Sequence, residues 1–154
     1  MGAEFVGPPL SSPKVFYDLT AKYIKGLVDL IREYGKKSMV HYHGQIREVL
    51  DSFAMVNPDA IHTIEAPPIG NCTLIQAREK LGKNVVLVGN IQYDDILRMT
   101  QQEMREHVCQ LMSEGKTGDF ILSPTAGPYE KVIDENMQKN YIEILKSGWE
   151  FGKY

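Results

Sequence analysis

The sequence predicts an α/β fold on a parallel sheet, and three observations carry that prediction. Helical and extended stretches alternate strictly along the 154 residues, with short connections between them. Asn84-Val-Val-Leu-Val-Gly89 is an unbroken β-branched run, the pattern of a strand buried on both faces. Each predicted strand runs into a polar or glycine-rich loop: His43-Gly44, Glu65-Ala-Pro-Pro68, Gly89-Asn90 and Ser123-Pro-Thr-Ala-Gly127. In parallel α/β folds the chemistry sits at these carboxyl ends of strands, so four scattered segments become one candidate site.

The elements follow in order. Residues 4–6 form a short extended piece, and Gly7-Pro8-Pro9 is loop chemistry. Ser12-Pro13 starts a helix, with serine as cap and proline at the first helical position. Phe16, Leu19, Tyr23, Leu27, Leu30 and Ile31 recur at helical spacing and predict the buried stripe of that helix, which Gly35 closes. Residues 38–43 are the first strand. Residues 45–56 are helical, with Ile46, Val49, Leu50 and Phe53 on one face, and Asn57-Pro58-Asp59 is a turn. Residues 60–65 form a second strand, and the prolines of residues 66–70 rule out regular structure. A helix over residues 73–81 ends at Gly82, and residues 84–89 form the third strand. Residues 93–113 are helical with a break near Thr100. Residues 120–123 are the fourth strand, and residues 136–149 the last helix.

Composition excludes several classes. A hydrophobic fraction of 43% and a charged fraction of 24% are those of an ordinary globular domain, here one domain over residues 1–154. A net charge of −3 gives no basic surface for nucleic acid. No apolar run reaches the roughly 20 residues of a membrane span, and residues 1–10 lack a signal-peptide pattern. Two distant cysteines, Cys72 and Cys109, give no disulfide framework and fit a reducing cytoplasm. Gly115-Lys116-Thr117 imitates a phosphate loop, but Gln110 stands where the motif needs glycine and a helix precedes it. No dinucleotide-binding glycine pattern and no nucleophile elbow occur.

The candidate site starts from His41-Tyr-His43. Side chains alternate along a strand, so His41 and His43 share a face. Glu65 ends the next strand, where it can meet the two histidines. Two neutral imidazoles and one carboxylate form a common catalytic zinc set with an open fourth position. Asn90 ends the third strand and offers both a donor and an acceptor. His62 falls on the face opposite Glu65 and is expected to be structural. His107 is assigned to a solvated helix face, and Cys72 to an ordinary loop thiol.

Together, Pro8-Pro9-Leu10-Ser-Ser-Pro13, His41-Tyr-His43-Gly44, Asp59-Ala60 leading to Glu65, Val88-Gly89-Asn90 and Phe120-Ile-Leu-Ser-Pro124 resemble the uroporphyrinogen decarboxylase superfamily. That superfamily also holds zinc-containing methyltransferases that move methyl groups between corrinoid proteins and thiols. The resemblance implies the C-terminal half of a (β/α)8 TIM barrel, about four βα units, shortened on the N-terminal side. It implies a metal set of His41, His43 and Glu65, where His43 replaces a family cysteine and Thr125-Ala126 replaces the last family ligand. Asn90 joins these residues as catalytic, and Gly89, Ser123 and Thr125 are expected at the cofactor or substrate mouth. The implied activity is corrinoid-linked methyl transfer to a metal-activated acceptor, with zinc as metal and a corrinoid protein as partner. Porphyrinogen decarboxylation and a non-catalytic half barrel are the alternatives. Open sheet edges tend to pair, so a homodimer or a missing N-terminal half barrel is the expected companion.

Overall fold

The computed structural model describes residues 6–153. The extended piece expected at residues 4–6 lies, but for Val6, outside the described residues. Helix α1 (Pro13–Phe16) runs through a π turn (Tyr17–Ala21) into α2 (Lys22–Glu33). Then come β1 (Met39–His41), a 3-10 turn (Ile46–Val49), α3 (Leu50–Val56), β2 (Ala60–His62), α4 (Leu74–Leu81) and β3 (Val86–Ile91). The chain closes with α5 (Tyr93–Arg98), α6 (Gln101–Gly115), β4 (Phe120–Pro124) and α7 (Glu135–Phe151).

Local chemistry fixes most boundaries. The Ser12 hydroxyl accepts from the Val15 N–H with Pro13 in the first turn. Thr73 and Thr100 each build a capping box, with Gln76 and Glu103 respectively. The Thr100 cap is what separates α5 from α6. Asn57 caps α3 in the left-handed conformation at φ 52°.

The four strands are parallel in the order β1-β2-β3-β4. Register sorts their side chains onto two faces. Val40, Ile61, Leu87 and Phe120 lie side by side on one face and are buried under the helices. The other face carries Met39-Ala60-Val86, then His41-His62-Val88-Ile121, then Asn90-Ser123. This face is open: Met39 and Ile121 are 52% and 55% exposed. Outside the sheet, α2, α3, α4, α6 and α7 pack one against the next in that order. Five helices thus ring four strands, and the outer two flank the sheet edges. No helix among the described residues is long and apolar enough to cross a membrane.

Three expectations about elements change. Strands β1 and β2 are shorter than predicted, and β3 sits two residues later. The predicted stripe faces the core only in part: Phe16 is buried and Ile31 half-buried, but Leu19, Tyr23, Leu27 and Leu30 are exposed, whereas Ala21, Ile24 and Val28 are buried. The stripe is amphipathic as read, but nothing in the described residues covers those four. His107 is not on a solvated face. It is largely buried 3.9 Å from Asp95, and burial lowers its pKa.

Candidate functional site

The site begins where β1 and β2 end together. Register pairs His41 with His62, so both imidazoles emerge side by side on the open face. Their rings stack with centroids 4.8 Å apart and their Nδ1 atoms 2.7 Å apart. His62 Nε2 donates to the Pro124 carbonyl at 3.1 Å, which ties β2 to the loop after β4. Beyond the strands, the Tyr42 N–H donates to the His62 carbonyl at 2.7 Å and keeps the two chains together. Tyr42 points the opposite way, fully buried edge-on against Phe16 and Phe53, with its hydroxyl donating to the Pro8 carbonyl. Anchoring Tyr42 in the core holds His41 and His43 on the open side, their ring centroids 4.6 Å apart.

Glu65 stands behind His43. It is 5% exposed, and a buried carboxylate needs partners for both oxygens. Oε1 accepts from His43 Nδ1 at 2.9 Å and Oε2 from the Gly44 N–H at 2.6 Å. The loop folds tightly around this residue: a Cβ on Gly70 would lie 2.2 Å from the Glu65 carbonyl oxygen.

The ends of β3 and β4 form the other side. Asn90, Gln92 and Thr125 are buried there. The Thr125 N–H donates to the Ile91 carbonyl at 2.8 Å, and its hydroxyl reaches Gln92 Oε1 at 3.4 Å. Asn90 Oδ1 and Gln92 Nε2 have no hydrogen-bond partner among the described residues. Gly89 takes φ 151° and brings β3 against the backbone of Ile64, where a Cβ would lie 3.3 Å from the Ile64 nitrogen.

An open depression of about 530 Å³ spans the two sides, lined by His41, His43, His62, Ser123, residues 124–127 and Tyr141. Of the residues expected from sequence, His41, His43, Ser123 and Thr125 line it. Glu65 supports His43 from behind, and Gly89 and Asn90 are not in the lining. His62 and Tyr141 line it without having been expected there. Strand register reveals His62, and one sequence alone does not give register. Cys72 is a buried thiol whose pKa burial pushes up to about 11, which bears out the ordinary-cysteine reading.

Among the described residues, no three histidine, cysteine, aspartate or glutamate side chains are placed to hold one metal ion. The hydrogen bonds give the reason. Both Glu65 oxygens are engaged, and the Nδ1 atoms of His41 and His62 face each other. A catalytic zinc takes three protein ligands, and the described residues bring His41 and His43 together without a third.

A parallel sheet with ring helices on one face, and polar groups gathered at the strand ends, defines the class as half of a (β/α)8 barrel. The chain belongs to the uroporphyrinogen decarboxylase (URO-D) family, whose model matches residues 8–143. A solved methyltransferase from Methanosarcina mazei is similar in fold, with a TM-score of 0.77 at 15% identity. That match covers 99% of this chain and 42% of the other, so the chain spans less than half the length of that structure. No curated protein matches the sequence.

Proposed function

We propose that this chain is the site-bearing, C-terminal half of a methyltransferase-type member of the family, serving methyl transfer from a corrinoid protein to an acceptor bearing an acidic X–H group. The observation that carries the reading is the His43–Glu65 pair beside the open depression. Methyl transfer needs the acceptor as an anion. His43 takes the X–H proton at Nε2, and Glu65 stabilises the resulting imidazolium through Nδ1–H. The acceptor anion then attacks the methyl group, and the cobalt–carbon electron pair stays with the corrinoid. Ser123 and Thr125 line the acceptor's path.

Zinc belongs to this proposal only with a condition. His41 and His43 would hold it with a further ligand from outside the described residues, and Glu65 would orient His43 rather than coordinate. Zinc titration of the purified chain, with His43→Ala as control, checks this; equal affinity for the two removes zinc from the reading. The companion in the same proposal is a second copy or a separate half barrel.

The activity is tested with methylcobalamin and a panel of thiols, following loss of the methylcobalamin spectrum with and without the companion half. His43→Ala should slow transfer by about 10²-fold or more, the contribution typical of a proton-transfer residue. Equal rates would sink the assignment. The family match also leaves tetrapyrrole decarboxylation as a second reading, and porphyrinogen turnover separates the two.

A further inference from the structure

We infer that Tyr141 is a specificity-determining residue: its hydroxyl holds an uncharged hydrogen-bond-accepting group of the methyl acceptor, of the amide carbonyl kind, against the wall that the end of β4 makes with α7. This deepens the proposed reading and rests on it.

The placement of Tyr141 follows from α7. Asn136 and Asn140 sit one turn apart, and both carboxamides donate to terminal carbonyls of α5 and of Met99 beyond it. Asn136 Nδ2 reaches Leu97 and Met99 at 3.1 and 3.0 Å, and Asn140 Nδ2 reaches Ile96 and Met99 at 2.9 and 2.7 Å. These four bonds fix the rotation of α7 about its axis. Tyr141, one residue on, is turned by about 100° from Asn140. It comes to rest half-buried on the open depression, where it lines the wall beside residues 123–127.

Among the described residues, three side-chain hydroxyls line the depression, and two are engaged. Ser123 Oγ donates to the Pro124 carbonyl at 3.1 Å, and Thr125 Oγ1 to Gln92 Oε1 at 3.4 Å. A hydroxyl has one hydrogen to give. The Tyr141 hydroxyl makes no hydrogen bond among the described residues. Burial, and after it the charge of Glu130, push its pKa above the ordinary tyrosine value, so it keeps its hydrogen at neutral pH. Charge then selects the group that receives this hydrogen. No lysine or arginine of the described residues lines the depression. Glu130 accepts from the Tyr93 hydroxyl and the Tyr129 N–H, stays a carboxylate, and sets a negative charge near Tyr141. A second anion finds no cation there to offset its lost hydration, whereas an uncharged acceptor takes the hydrogen without like-charge repulsion.

The test is titration of the ¹⁵N-labelled full chain, reduced and at neutral pH, with three small thiols. N-Acetylcysteamine carries an amide carbonyl, 3-mercaptopropionate a carboxylate, and 1-propanethiol neither. The unaltered chain should bind N-acetylcysteamine about tenfold more tightly than either of the others, the effect of one good hydrogen bond. Tyr141→Phe keeps the ring and its packing but removes the O–H; it should erase that preference and leave 1-propanethiol binding unchanged, which a merely structural role would not do. A preference that survives Tyr141→Phe overturns the inference. So does 3-mercaptopropionate bound as tightly as the amide, or no measurable binding of any of the three. Should the variant fail to fold, the ranking in the unaltered chain still decides. Absent methyl transfer with the ranking intact would overturn the functional reading alone.

Discussion

At the ends of β1 and β2 the polar groups answer one another around the buried Glu65. His62 joins His41 to the Pro124 carbonyl, and Glu65 joins His43 to the Gly44 N–H. At the ends of β3 and β4, Asn90 and Gln92 are buried to a similar degree, yet Asn90 Oδ1 and Gln92 Nε2 are unmatched among the described residues. A paired buried group holds its neighbours in place, whereas an unmatched one weighs against the fold. The first side is a network completed within this chain. The second keeps hydrogen-bonding capacity unspent.

That contrast can be broken by substitution. The largest effect is expected for Gly70→Ala. The new Cβ would meet the Glu65 carbonyl oxygen at 2.2 Å and the Glu65 Cβ at 2.5 Å, contacts that only a backbone shift relieves. Denaturant unfolding should show a loss of about 3 kcal/mol, at the upper end for overpacking. Glu65→Ala comes next. It strands the Gly44 N–H and the His43 N–H, and should lose about 2 kcal/mol in the same measurement.

Asn90→Ala sharpens the contrast from the other side. It leaves a small cavity but removes an unmatched oxygen, so the net loss should stay below about 1 kcal/mol. A loss equal to that of Glu65→Ala would mean the β3 end is networked as tightly as β1 and β2.

The smallest effect lies at the far end of the sheet. Asp59 is held down to about 2, chiefly by the Lys37 ammonium and then by the Ser38 N–H. Its folded value lies below its ordinary 3.8, so its contribution is present above pH 4 and fades as pH falls toward 2. Asp59→Asn should flatten that part of an acid unfolding curve by lowering stability above pH 4, neutral pH included, while leaving stability near pH 2 nearly unchanged.

Much of this was legible in the residues. The order of elements, the cap at Ser12 and the break at Thr100 follow from local chemistry, which a single sequence contains. His41 and His43 were placed on one face by alternation alone. Alternation carried through to Glu65 gives His62 a structural place on the opposite face, whereas β2 ends at His62 and the chain turns before the carboxylate. The face that α2 buries is hidden from the sequence for a related reason. Periodicity says which residues share a side, as Leu19, Tyr23, Leu27 and Leu30 do, but not what lies against it.

The five ring helices over four strands carry a stoichiometric consequence. A closed eight-stranded barrel offers eight helix berths, one between each pair of neighbouring strands. Two copies of this chain would bring ten, so a symmetric pair could close the ring only by expelling a helix at each seam. A piece that closed it without expulsion would have four strands and three helices, and would begin and end on a strand. Its outermost helices would then lie on the two exposed stripes at the seams, Leu19 of the π turn with Tyr23, Leu27 and Leu30 of α2, and Ile142, Leu145 and Trp149 of α7.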